Sequence, residues 1–257
     1  PLRACVEIKR AFRRSTLTQR IMITRASARI DFDTEVDWHE THLLLKAAFP
    51  VAVRASRATF DIQWGQVDRP THRNTSWDAA QFEVPAQKWA DLSEGDFGVA
   101  LLNDCKYGYD IHCHVMRLSL IKSATMPDVG ADQGPHAFTY ALLPHAGGWQ
   151  GEVQAAAAAL NHPVRVTGGA ERPPFVACAQ PNVVIETLKP ADFGPGFVLR
   201  LYESHRIAER VSLQLPNWVR TVERCNLMED VTGALDVVDA TASFDLAPFE
   251  IVTLKCS

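Results

Sequence analysis

Strict alternation of polar and apolar residues over 29–38 constrains this chain more than any other feature. Asp31, Asp33, Glu35 and Asp37 fall on one parity; Phe32, Thr34, Val36 and Trp38 fall on the other. A period of two is the geometry of a β-strand with one buried face. Further strand-like runs lie at 43–49, 58–62, 81–84, 97–102, 111–121, 138–143, 183–188, 197–202, 211–215 and 249–254. Turn residues part them: Pro50, Gly95-Asp96, Gly108, the stretch 127–134, Gly147-Gly148 and Gly194-Pro195-Gly196. The one helical candidate is 151–160, where the alanine run 155–159 carries the highest helix propensity available. Many strands and few helices predict an all-β chain of antiparallel sandwich architecture.

The chain has 257 residues, enough for one large domain and a small one. A turn-rich stretch near 167–182, with Thr167-Gly168-Gly169-Ala170 and Arg172-Pro173-Pro174, predicts a large domain over 1–178 and a smaller one over 179–257. A chain of this length buries roughly 70–75% of its unfolded surface, so the core needs no metal or disulfide. Lys and Arg total 26 against 30 Asp and Glu, and no dense basic run occurs, which excludes a nucleic-acid footprint. No apolar run reaches the roughly 20 residues of a membrane span. The six cysteines are scattered without a CxxC pair. They read as reduced thiols of a cytoplasmic protein. The sequon Asn74-Thr75-Ser76 carries no meaning in that compartment. The chain opens Pro1-Leu2-Arg3 without Met or signal segment, and is expected to be the interior or tail of a longer polypeptide or a processed product.

Few residues point to chemistry. The acidic parity of 29–38 could be read as a calcium site, but it lacks the glycine of an EF-hand loop, and a solvated strand face near Arg25 and Arg29 is the better reading. His112 and His114 share a strand face at the spacing of half a metal site, with no partner ligand at fixed spacing. Gly-x-Ser-x-Gly, GxGxxG and P-loop motifs are absent. Asp104 and Asp110 flank Gly108, where turn chemistry accounts for them. Two loops stand out: 69–78, dense in donors and acceptors around Trp77, and 103–110 after the apolar run 97–102. Hydroxyls of a pyranose suit Asn, Asp and Lys, and its C–H face suits an aromatic ring. His72 and Asn74 in the first loop, with Asn103, Asp104, Lys106 and Tyr107 in the second, are the candidate carbohydrate-binding residues. The bland reading, that both are long inter-strand turns, weighs nearly as much. No catalytic and no metal-binding residue is assigned.

Several ordered motifs carry a resemblance. They are Glu35-Val36-Asp37-Trp38-His39-Glu40, Phe60-Asp61-Ile62-Gln63-Trp64-Gly65, Arg69-Pro70-Thr71-His72 with Asn74-Thr75-Ser76-Trp77-Asp78, and Phe82-Glu83-Val84. Trp89-Ala90-Asp91-Leu92-Ser93-Glu94, the stretch from Gly98 to Gly108, and Phe138-Thr139-Tyr140-Ala141-Leu142-Leu143-Pro144-His145 follow. Asn182-Val183-Val184-Ile185-Glu186-Thr187-Leu188-Lys189 and Val198-Leu199-Arg200-Leu201-Tyr202-Glu203 complete the set. Taken in order, they resemble the C-terminal β-region of glycoside hydrolase family 38 α-mannosidases, in the cytosolic and vacuolar branch.

The resemblance implies a galactose-mutarotase-like supersandwich followed by a smaller C-terminal β-sandwich. It implies a parent that is a retaining exo-α-mannosidase acting on mannose-containing oligosaccharides. Its nucleophile and its zinc or cobalt would sit in a catalytic barrel, followed by a helical domain, with no cofactor in the present portion. The barrel and helical domain are then the partners, and 103–108 is expected at the wall of the active site. By itself the chain is expected to be inactive and to expose an apolar patch of roughly several hundred Å² or more, with self-association as a consequence. Two rivals are an independent carbohydrate-binding module and an aldose mutarotase, the latter needing His72 or His145 with Glu83 in one pocket.

Overall fold

A computed structural model describes residues 2–166, 168–169 and 173–257. The chain divides into two compact units, 1–165 and 166–257. Of the turn-rich stretch expected at the boundary, Thr167, Ala170 and Arg172 lie outside the described residues.

The first unit opens with a meander of β1 (Arg3–Phe12), β2 (Ser15–Thr24) and β3 (Ser27–Trp38). Then come β4 (Leu44–Pro50), β5 (Arg57–Ile62), β6 (Gly65–Pro70), a short helix α1 (Ser76–Ala80) and β7 (Val84–Pro85). The unit continues with β8 (Trp89–Ser93), β9 (Phe97–Asn103), β10 (Gly108–His112), β11 (Val115–Lys122), β12 (Gly134–Ala146) and α2 (Val153–Asn161). An eight-stranded antiparallel sheet runs β1-β2-β3-β12-β9-β8-β5-β6, and a four-stranded sheet runs β4-β11-β10-β7. Phe32, Val36, Phe60, Leu92 and Leu101 of the first sheet share a core with Tyr109, Ile111, Met116 and Leu118 of the second.

Central strands are buried on both faces. In β9, Val99 and Leu101 face that core, while Ala100 and Leu102 face a second one with Trp89, Leu143, Trp149 and, from α2, Val153 and Ala157. This explains why 97–102 reads as an unbroken apolar run rather than an alternating one. Helix α2 is only nine residues long and has no side-chain N-cap, so packing on the sheet must hold it.

The second unit comprises β13 (Ala177–Cys178), β14 (Val183–Pro190), β15 (Phe197–Glu203), β16 (Glu209–Gln214), β17 (Val222–Cys225), β18 (Val231–Leu235), β19 (Val237–Val238), β20 (Thr241–Leu246) and β21 (Ile251–Cys256). A four-stranded sheet, β13-β16-β20-β19, packs on a five-stranded one, β14-β15-β21-β17-β18. β13 pairs with β16, which carries 177–178 into this unit. The architecture is all-β, with a larger layered unit followed by a smaller sandwich.

Three local expectations are revised. The run 111–121 is two strands: Cys113 adopts φ +53° and reverses the chain, with His112 paired to Val115. His114 therefore lies in the turn and shares no strand face with His112. The run 81–84 is mostly non-strand, since Gln81 caps α1 and only Val84 joins the sheet. Helix α1 itself starts at a capping box in which Thr75 and Asp78 exchange hydrogen bonds.

The acidic face of β3 is ion-paired, by Arg20 across strands and by Arg29 and His39 locally. Arg20 of β2 reaches Asp33 at 3.3 Å and Glu35 at 3.0 Å, Arg29 chelates Asp31 at 2.7 and 3.2 Å, and His39 lies 2.9 Å from Asp37. Arg20 sits directly opposite Asp33, the position at which opposite charges stabilise a sheet.

Candidate functional site

β9 ends at Asn103, whose buried side chain (1% exposed) organises the loop that follows. Its Nδ2 donates to the Gln87 carbonyl at 2.8 Å and to Tyr109 Oη at 2.6 Å, and its Oδ1 accepts from the Lys106 amide at 2.7 Å. Tyr109 Oη donates in turn to the Leu101 carbonyl at 3.2 Å. Burial pushes the Tyr109 phenol far above its usual range, and the hydrogen bond from Asn103 opposes this only in part. The Asn103 amide side chain thus has both donors and its acceptor engaged within the fold.

The rest of the loop is anchored on three neighbours. Asp104 pairs with β12 through both backbone and side chain: its amide donates to the Thr139 carbonyl at 3.1 Å, and its Oδ2 accepts from the Thr139 amide at 2.9 Å. The Tyr107 carbonyl accepts from the Ala86 amide at 3.0 Å. Asn161, the last residue of α2, donates from Nδ2 to the Asn103 carbonyl at 2.9 Å. Lys106 places its ammonium 4.5 Å from the centroid of the Phe138 ring, a cation–π distance. Tyr107 keeps its ring in solvent, 53% exposed. Two of the four candidates in this loop are therefore absorbed by the fold, Lys106 is half-buried over Phe138, and Tyr107 is presented outward.

His72 and Asn74 lie elsewhere. The Thr71 carbonyl accepts from the Cys113 amide at 2.7 Å, which ties this loop to the far end of β10. His72 Nδ1 stands 3.5 Å from Asp78 Oδ2 beside a cavity of about 20 Å³, the room of a single water. Asn74 is exposed just ahead of α1. Arg73 of this loop meets Asp110 of the other at 3.7 Å, but none of the other five candidates lines the cavity beside His72. The structure does not gather the six candidates into one pocket.

Between the two ends, the outer face of the four-stranded sheet holds a charged network. Asp110 Oδ2 accepts from Arg117 at 3.1 Å and lies 4.0 Å from Lys46, and its Oδ1 lies 3.7 Å from Arg73. Glu83 accepts from the Ser119 hydroxyl and lies 3.7 Å from Lys46. A Cβ on Gly108 would come within 2.6 Å of Glu83 Oε1, so glycine here makes room for that carboxylate. Lys46, Asp110 and Arg117 come from three strands and Glu83 from the loop before β7, and the register of β4, β11 and β10 makes them neighbours.

His145, once paired in expectation with Glu83, points to a different partner. Its Nε2 lies 2.7 Å from Asp91 Oδ1 in the buried interior, and Asp91 Oδ2 accepts from Ser93 at 2.5 Å. Burial alone would lower the His145 pKa; the bond to Asp91 outweighs it, and the net displacement is upward. Among the described residues, no group of three or more His, Cys, Asp or Glu side chains could hold a metal ion.

The glycosyl hydrolases family 38 C-terminal domain matches residues 1–130, and the family 38 C-terminal beta sandwich domain matches 182–254. The chain belongs to the C-terminal region of the family 38 glycosyl hydrolases. Among relatives of this family 38 chain, alpha-mannosidase 2C1 of Homo sapiens is 42% identical over 252 residues, covering 93% of this chain and 24% of that protein. Alpha-mannosidase G of Dictyostelium discoideum is 38% identical over 255 residues, covering 93% and 23%. The crystal structure of an alpha-mannosidase from Enterococcus faecalis V583 shares the fold at TM-score 0.79 and 18% identity, over 100% of this chain and 34% of that one. The family 38 chain thus spans about a quarter of the length of the curated relatives it matches. None of its helices, among the described residues, is long and apolar enough to cross a membrane.

Proposed function

We propose that this chain is the C-terminal β-region of a cytoplasmic α-mannosidase that hydrolyses terminal α-mannosides of oligosaccharides. The carrying observation is the paired family match, at both ends of the chain and in order, with 42% identity to a protein named alpha-mannosidase over 93% of the chain. The nucleophile and the zinc or cobalt belong, in this reading, to a barrel outside the present chain, adjoined by a helical domain. Six unpaired cysteines suit a reducing compartment.

Within that enzyme, the loop after β9 forms part of the wall of the sugar site. Asn103 and Asp104 fix the backbone, Lys106 offers a donor, and Tyr107 offers an exposed ring for the apolar face of a pyranose. A rigid loop with an exposed aromatic is pre-organised for that task.

The test uses the complete gene product and the chain by itself on an aryl α-mannoside and a mannose oligosaccharide. The chain alone should be inert with added zinc, and robust turnover would overturn the assignment of chemistry to another part. In the complete enzyme, Tyr107→Ala should raise KM for the oligosaccharide about five- to tenfold, the worth of one stacking contact, with little change in kcat on the aryl substrate. An unchanged KM would remove Tyr107 from the sugar site.

A further inference from the structure

The inner face of the eight-stranded sheet is mostly apolar, interrupted at Arg10 and Gln19, and its partner sheet covers only part of it. Residues paired across an antiparallel ladder share a face. Val6 pairs with Ile21 and Ile21 with Phe32; Ala4 pairs with Ile23 and Ile23 with Ile30. Val6 and Ile23 therefore continue the face on which Phe32 is a core residue. Phe32 is 9% exposed, whereas Val6 is 62%, Ile23 51% and Phe12 50% exposed. The four-stranded sheet ends at β4, which has β11 on one side and no strand on the other among the described residues. Beside that free edge runs a mostly apolar groove of about 300 Å³, lined by Phe12, Leu17, Trp38, Leu43 and Leu44 with Arg10 also on its wall.

Eight strands thus face four, and the deficit lies over β1 and β2. A sheet edge offers unpaired N–H and C=O groups, and an apolar face offers a surface that water solvates poorly. One kind of occupant answers both demands: a β-strand that bonds to β4 through its backbone and sets alternate apolar side chains on Val6, Phe12 and Ile23. The matched relatives carry roughly three quarters of their length outside the region this chain spans, so the same polypeptide has ample chain to supply it.

We infer that the groove between β4 and the β1–β2 ribbon seats at least one β-strand from the part of the α-mannosidase polypeptide outside this chain, extending the four-stranded sheet. The inference rests on the function proposed above only in naming that polypeptide. A covalently tethered strand holds this seat at high effective concentration, which a second copy of the chain does not.

Amide hydrogen exchange tests it, comparing the chain by itself with the complete gene product. Amides of β4 and β1 should exchange at least tenfold more slowly in the complete protein, a roughly tenfold change being the mark of a newly formed ladder, while β9 stays equally slow in both. Equal rates at β4 and β1 in the two proteins overturn the inference. So does a dimer of the isolated chain, seen by sedimentation, that already protects both strands, because it assigns the groove to a second copy. As a second measurement, the pair Val6→Lys and Ile23→Lys should leave the Tm of the isolated chain within about 1–2 °C and lower that of the complete protein by about 4 °C or more. Equal shifts in both count against the strand. Loss of the mannosidase reading would show separately, as a complete product inactive on mannosides with its β4 protection intact.

Discussion

Strand β9 of the first unit and strand β15 of the second are built alike and finished differently. Both begin with Phe, lie inside their sheets, are largely apolar (Arg200 of β15 excepted) and end in a buried polar residue, Asn103 in one and Glu203 in the other. Asn103 is neutral and serves donors and acceptors at once. Glu203 accepts only: Oε1 from the His205 amide at 2.6 Å and Asn182 Nδ2 at 3.2 Å, Oε2 from the Arg206 amide at 3.0 Å and the Phe249 amide at 3.1 Å. Burial pushes the Glu203 carboxyl up, but the amides of Phe249 and His205 and the side chain of Asn182 outweigh it, and the net displacement is downward. A strand end can thus be locked by a group blind to pH or by one that depends on it.

The largest effects lie in the strand middles. Leu101→Ala and Leu201→Ala, at fully buried positions, should each cost about 2–5 kcal/mol in urea unfolding. A cost below about 1 kcal/mol at either site would break the likeness of the two strands. Next is Glu203→Gln, which should cost roughly 1.5–3 kcal/mol at neutral pH through the lost charge-assisted bonds. Because the folded pKa lies below the unfolded one, the Glu203 contribution is complete above the ordinary carboxylate range and fades as pH falls through the folded value. The wild-type second unit should therefore weaken in acid more steeply than the Gln variant, and parallel pH profiles would remove Glu203 as the cause. Asn103→Ala should cost about 1–3 kcal/mol, leaving the Tyr109 hydroxyl and the Lys106 amide short of a partner, with no comparable acid dependence. Smallest is Val6→Ala on the exposed ribbon, within about 0.5 kcal/mol for the chain by itself.

Legibility in the sequence follows the same division. Where one face or both are buried, the pattern is plain: 29–38 is β3, 97–102 is the body of β9, and the alanine-rich 151–160 is α2 within two residues. The β1–β2 ribbon escapes because its tight turn, with Arg13 at φ +53°, carries no glycine or asparagine, and Arg10 interrupts its apolar parity. The turn at Cys113 hides for the same reason. Helix α1 could have been read from Thr75-x-x-Asp78. The loop after β9 was visible as a candidate because its residues are contiguous. That Asn103 turns inward while Tyr107 turns out depends on Tyr109, Gln87 and Ala86, which only folding brings near. The network of Lys46, Glu83, Asp110 and Arg117 was invisible because cross-strand register, not sequence distance, assembles it.

Asn161 has a consequence of its own. Its side chain bonds both the Ala157 carbonyl inside α2 and the Asn103 carbonyl at the root of the loop, so the final helical turn acts as a latch. Helix termini fray first on warming, and an unlatched Asn103 carbonyl would lose a tether before any strand separates. The presentation of Lys106 and Tyr107 would then soften at temperatures well short of unfolding, making the end of a nine-residue helix the thermostat of that surface.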